Sequence, residues 1–333
     1  MIAKPLKSIP KRRKVRTPVT VCIAAVAERG TLIGVSDRML TAGDVEFEPG
    51  QAKMWSFSSA IWALIAGDIS IQGEILNKVD TEIRRRIAAD PEVWVSVKEV
   101  AELYCQRYRE LLRSRAEAAI LHPLNLTLSS FLTKQSKLSP ELVISLADKL
   151  STYDFDSHLE VLFIGNDHEG PDEKSVYVHL YATDGDKLSD LTSVGFAAIG
   201  IGKSHAESQF MFSGHWPSKP FEETFLLAYT AKKRAEVAPG VGKDTDMVVI
   251  GPGLGHSLKV EEKHIEGLEK IYQKSITGNA KAINTAVDET KNFVKKVRRE
   301  YEAREKASRA ATQSAESEHA PKSSASRRSK GQQ

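Results

Sequence analysis

The chain has little cysteine: two residues in 333, Cys22 and Cys105. Both lie in apolar contexts, which argues against a disulfide scaffold and predicts reduced core thiols. No run approaches the ~18 consecutive apolar residues of a membrane-spanning helix, so no span and no membrane partner are expected. The basic N-terminal segment is followed by no apolar stretch, so no secretory signal is read there and a cytoplasmic protein is expected. The nine histidines are scattered, without Cys or Glu at ligand spacing, and no metal is expected. Gly251-Pro252-Gly253-Leu254-Gly255 lacks dinucleotide-binding spacing and reads as a loop, so no cofactor is expected either. Aromatic residues are only 7% of the chain. Trp94, Tyr104 and Tyr108 read as core side chains rather than a platform for stacked bases.

What is present is an ordinary globular composition, 41% apolar and 27% charged. The formal net charge of +3 conceals an uneven distribution. Residues 1–16 carry seven Lys or Arg and no acid, and residues 303–333 carry seven against three Glu. Between 17 and 302 that leaves 33 basic and 41 acidic residues. An acidic body thus has basic ends. The ends read as solvated tails, with contact to nucleic acid or an acidic partner surface as the less favoured alternative.

Residues 1–18, with Pro5, Pro10 and Pro18, read as an extended arm. Val19–Val26 and Thr31–Val35 are apolar runs joined by a tight turn at Glu28-Arg29-Gly30 and predict a hairpin buried on both faces. Lys53–Phe57 and Ile61–Ala66 predict two further strands. Ile75, Val79, Ile83 and Ile87 then recur at helical spacing up to Asp90-Pro91. Ser96 with Glu99 forms a capping box for a second helix reaching about Leu121. Residues 124–157 are polar, with one short helix expected after Ser139-Pro140, and read as an insertion. Strands are predicted at 159–165, 176–182 and 193–199, helices at about 203–213 and 220–236, and a last strand at 246–250. Beyond Gly253 the chain reads as helical, with Ile283, Val287, Val294, Val297 and Tyr301 on a narrow stripe, and from about 306 as a disordered tail. The domain reading is therefore an arm over 1–18, a body over 19–251, helices over 252–305 and a tail over 306–333. Strands arriving in blocks argue against a parallel βαβ sheet. The expected fold class is α+β, a four-layer αββα sandwich of two antiparallel sheets.

Four stretches, in this order, carry a resemblance. They are Thr20–Val26 with Gly30–Arg38; Lys53-Met54-Trp55 with Ala63–Asp68; Ala198–Gly202 opening a helix with Ala206; and Gly242–Ile250. Together they resemble proteasome subunits and the related peptidase of the bacterial two-component ATP-dependent protease, both N-terminal-nucleophile (Ntn) hydrolases. The resemblance implies a Thr nucleophile whose own α-amine, freed by removal of a propeptide, acts as general base. It maps the nucleophile to Thr20 and the supporting Asp and Lys to Asp37 and Lys53. It also implies a ring-shaped homo-oligomer, peptide or unfolded-protein substrates and an ATPase partner.

The chain departs from the active pattern at several positions. Counting back from Asp37 without a gap reaches Val21, so Thr20 fits only if the first hairpin holds one extra residue. Val19 stands where Gly usually precedes the cut. Gly200-Ile201-Gly202 has Ile where active subunits have Ser, and their later Asp and Ser fall near Ala238 and Val241. Two readings stay open: a threonine peptidase with residues 1–19 as propeptide, and an uncleaved, inactive proteasome-like subunit that binds partners.

Overall fold

The computed structural model describes residues 20–42, 45–47, 53–90, 93–155, 158–167, 176–279 and parts of 281–293. The expected arm over 1–18, Val19, the tail over 306–333, and Val294, Val297 and Tyr301 lie outside the described residues. Two compact units divide after Glu269.

The first unit opens with a hairpin of β1 (Cys22–Ala27) and β2 (Thr31–Asp37), every residue of which is buried. The turn holds three residues, since Ala27 pairs with Thr31. Arg29 and Gly30 both take positive φ there, 56° and 63°, which lets the chain reverse without disturbing the ladder. A ribbon of β3 (Leu40–Ala42) and β4 (Val45–Phe47) follows, in a stretch where no strand is expected from the sequence. Next come β5 (Met54–Ser56) and β6 (Ile61–Ala66).

Helix α1 (Ile69–Ala89) starts where Asp68 accepts hydrogen bonds from the Ser70 and Ile71 amides. Helix α2 (Val97–Ile120) starts at the expected Ser96–Glu99 capping box. Residues 124–157 hold two helices rather than one, α3 (Leu128–Lys134) and α4 (Pro140–Ser151). Phe131 and Leu146 bury against Leu121, so this segment has a small apolar core that its polar composition hid.

The chain continues through β7 (Glu160–Asp167), β8 (Tyr177–Asp184), β9 (Lys187–Asp190) and β10 (Phe196–Ile199). Then come α5 (Lys203–Phe212), α6 (Phe221–Ala235), β11 (Thr245–Ile250) and β12 (Ser257–Lys259). β9 and β12 are too short and polar to show an apolar period. Because β12 pairs with β11, helix does not resume directly after Gly253; it begins at residue 262.

The strands form two five-stranded antiparallel sheets, ordered β10-β1-β2-β11-β12 and β5-β6-β7-β8-β9. The fold is therefore mixed α+β. One apolar cluster draws from both sheets, including Leu32, Val248, Leu64, Leu162 and Leu180. A second joins α1 and α2 to the sheet of β5–β9. There the buried Tyr104 meets the Phe163 ring edge-on at 5.5 Å and donates its hydroxyl to Gln72 Oε1 at 2.8 Å. Each fully buried large apolar side chain contributes roughly 1.5–3 kcal/mol. Helices α5 and α6 pack on each other; α5 also touches β10, and α6 touches β1 and β2. Tyr104 and Tyr108 are core residues, whereas Trp94 is 43% exposed and is not. Ile87, at the end of the α1 stripe, is also exposed.

In the second unit residues 270–279 are helical, and Ile271, Ile276, Ile283 and Val287 are exposed. Among the described residues no helix is long and apolar enough to cross a membrane.

Candidate active site

Elements of both sheets bring the three sequence-predicted residues together. Thr20 lies just before β1, Asp37 closes β2, and Lys53 lies just before β5 in the other sheet. All three are buried: Thr20 is 2% exposed, Asp37 0% and Lys53 4%. Lys53 is anchored through its backbone, because its carbonyl accepts the Ile65 amide and extends the β5–β6 ladder.

The Thr20 hydroxyl donates to Asp37 Oδ1 and accepts from the Lys53 ammonium. Lys53 Nζ also donates to both carboxylate oxygens of Asp37, at 3.0 and 3.1 Å. Three backbone amides complete the carboxylate's shell. Val21 N donates to Oδ1 at 3.0 Å; Met39 N and Gly242 N donate to Oδ2 at 3.2 and 2.9 Å. A buried carboxylate without such partners would cost several kcal/mol. Here one anion meets one cation and four neutral donors.

Glycine lets a second segment close over Thr20. Gly200 adopts φ +84°, and a Cβ there would stand 2.4 Å from Thr20 O and 2.7 Å from Thr20 Cγ2. At Gly202 a Cβ would stand 2.8 Å from Val21 Cβ, while the Gly202 amide donates to Thr20 O at 3.2 Å. The Gly200 amide is held in turn by Glu160 Oε2 at 2.8 Å, across from the other sheet. On the far side, Arg38 clamps Asp246 with two 3.0 Å hydrogen bonds and pins the end of β2 to the start of β11.

Cys22 points to the same region, donating to Ile65 O at 3.3 Å. Burial raises its thiol pKa far above the ordinary value, the Lys53 charge opposing this only in part. It stays a neutral thiol near neutrality and does not compete as a nucleophile. Ala238 and Val241 are buried, as their apolar character suggests, and Ile201 is partly buried.

Chemically, the cluster holds a hydroxyl between an ammonium and a carboxylate. The ammonium can stabilise negative charge developing on Thr20 Oγ1, and the carboxylate fixes the ammonium. Sequence reasoning missed Glu160, the Asp37 contact of the Gly242 amide, and Lys232 of α6, which is wholly buried nearby. Gly242 lay inside a stretch already singled out; nothing in the sequence flags Glu160 or Lys232. Among the described residues no group of three or more His, Cys, Asp or Glu side chains is placed to hold a metal.

No protein-family model matches the chain, and no curated protein matches it.

Proposed function

We propose that the chain is a threonine-type Ntn hydrolase that cleaves peptides, with Thr20 as nucleophile once residues 1–19 are removed. The observation that carries this reading is the Thr20 hydroxyl bonded at once to the Lys53 ammonium and the Asp37 carboxylate. After removal of residues 1–19 the Thr20 nitrogen becomes an α-amine, whose reference pKa of about 7.7–8.0 suits a base near neutrality. The nearby Lys53 charge favours its neutral form. The amine takes the hydroxyl proton, Oγ1 bonds to the scissile carbonyl carbon, and the C–N bond breaks as the leaving amine accepts that proton. Water then hydrolyses the ester. Thr20 is favoured over Val21 because its hydroxyl bonds both Asp37 and Lys53, whereas Val21 reaches Asp37 only through its backbone amide. On this reading the two sheets face each other between the helix pairs α1–α2 and α5–α6 as a four-layer αββα sandwich, and copies assemble into a ring.

A second reading is an inactive, uncleaved relative that binds partners. It is favoured by Ile201, Ala238 and Val241 standing where active relatives carry polar groups. The Asp37 shell is also complete as a clamp, with no hydrolysis required.

The intact mass and first residue of the purified protein separate the two. The peptidase reading expects a chain beginning at Thr20. Thr20→Ala should then lower hydrolysis of fluorogenic peptides by about a thousandfold or more. A chain retaining residues 1–19 and hydrolysing nothing supports the second reading. Hydrolysis unaffected by Thr20→Ala would remove Thr20 from the site. Light scattering at micromolar concentration tests the ring.

A further inference from the structure

Lys232 is the one lysine of α6 with no solvent exposure. It sits one turn before the helix ends and points away from water into the packing between α6 and the first sheet. Its ammonium donates to Glu236 Oε1 at 2.7 Å and to the backbone carbonyl of Lys243 at 2.6 Å. Burial lowers its pKa, while the hydrogen bond to Glu236 and the charges of Glu236 and Asp37 oppose that. A lysine is costly to bury, and the aliphatic part of its stem would be replaced at lower cost by leucine. The position of its second acceptor gives a reason for a lysine here. Lys243 directly follows Gly242, whose amide closes the Asp37 shell on Oδ2.

The Thr245 hydroxyl also approaches Lys243 O, at 3.5 Å, a longer contact than that of Lys232. Ala238 N donates to Ala235 O and Val241 N to Ala238 O, with Gly240 at φ +80° between them. These bonds shape the turn, and the β2–β11 ladder, in which Thr245 pairs with Asp37, sets where the following strand begins. The Lys232 ammonium ties the Lys243 carbonyl, two residues before β11, to the helix.

We propose that Lys232 is a positioning residue for Asp37: by holding Lys243 O it presents the Gly242 amide to Oδ2, and so fixes the carboxylate plane that aims Oδ1 at Thr20 and Lys53. The loop lined by Ala238 and Val241 offers no side-chain oxygen at those positions, so the support is transmitted through the backbone and originates in a helix that carries no group of the cluster itself. This arrangement rests on the hydrolase reading only for its effect on turnover.

The test uses the full chain and amide hydrogen exchange read by NMR. Lys232→Met keeps the bulk of the stem and removes the ammonium. The Gly242 amide should exchange about tenfold faster, while Val21 and the paired amides of β1 and β2 shift by less than about twofold. Unchanged exchange at Gly242, or equal acceleration of Gly242 and the strands, would overturn the proposal, since the first denies the link and the second is what loss of a packing residue alone produces. Should Lys232→Met fail to fold, Glu236→Gln removes the counter-charge while preserving volume. It should speed Gly242 about threefold with the strands unmoved, and no local change there would also overturn it. If the protein hydrolyses peptides, Lys232→Met should lower kcat about tenfold with KM unchanged; an unchanged kcat would count against the role. A chain with no hydrolysis leaves the exchange measurement intact, so failure of the hydrolase reading and failure of this one are distinguishable.

Discussion

Two buried polar clusters lie at opposite ends of β2 and β11, and they are built differently. At the Asp37 end, an ammonium, a hydroxyl and a carboxylate bond mutually, with glycines pressed against the Thr20 backbone. At the other end, near the Gly251–Gly255 loop, Asn166 donates to Gly253 O at 3.0 Å and accepts the Gly255 amide at 3.3 Å. Beside it Asp167 accepts the Val97 amide at 2.9 Å and lies 2.8 Å from His179 Nε2, whose ring stacks on Tyr181. Both clusters bury acids. In the second the partners are mainly backbone groups of α2 and the loop, so its side chains tie segments together. In the first the Thr20 hydroxyl is held from two sides, by an ammonium and a carboxylate. Burial of charge by itself therefore does not mark a candidate site; the chemistry of what the charges surround does.

The sharpest way to break this comparison is to neutralise each acid. Asp37→Asn keeps the shape but leaves the buried Lys53 ammonium without its counter-charge, and should lower unfolding stability by about 3–5 kcal/mol. Urea denaturation monitored by circular dichroism measures it, and a loss below about 1 kcal/mol would mean that Lys53 is not a buried charge that depends on Asp37. Asp167→Asn retains an acceptor for the Val97 amide and should cost less, about 1–2 kcal/mol in the same experiment. Equal losses for the two variants would erase the distinction between the clusters.

A smaller effect contrasts both clusters with the apolar core under α2. The Cys105 thiol is pushed up to about 11 by burial, from a free value of 9.0. The unfolded chain therefore releases this proton first as pH rises. The stability Cys105 contributes is complete below about 9 and is lost between roughly 9 and 11, amounting to about 1 kcal/mol by pH 10. Unfolding curves at pH 8 and pH 10 should show that loss in the parent and a shallower one in Cys105→Ala. Identical pH dependence in the two proteins would assign the alkaline loss to other groups.

Much of this molecule is legible from local pattern. The unbroken apolar runs of β1 and β2, the capping box at Ser96 and the Asp90 stop are written in consecutive residues, because each depends on neighbours a few positions away. Thr20, Asp37 and Lys53 are singled out only through the resemblance, the ungapped count from Asp37 reaching Val21 instead, and the structure brings all three into hydrogen-bonding contact. The β3–β4 ribbon, β9 and β12 were not legible, since three- or four-residue strands are too short to display a period of two and are specified by what they pair with. The polar composition of its segment hid α3, whose Phe131 is buried with Leu121 and with Leu146 of α4.

The sequence by itself determined the block order of strands and helices, the chemical types available at Thr20, Asp37 and Lys53, and the glycines that permit close approach at 200 and 202. Only the tertiary structure decided that Glu160 holds the Gly200 amide, that the Gly242 amide reaches Asp37, and that Lys232 turns inward rather than toward solvent. Those contacts join residues from 11 to 205 positions apart in the chain. Contacts between distant positions follow from how sheets and helices stack, and no short-range pattern of hydrophobicity or charge encodes them.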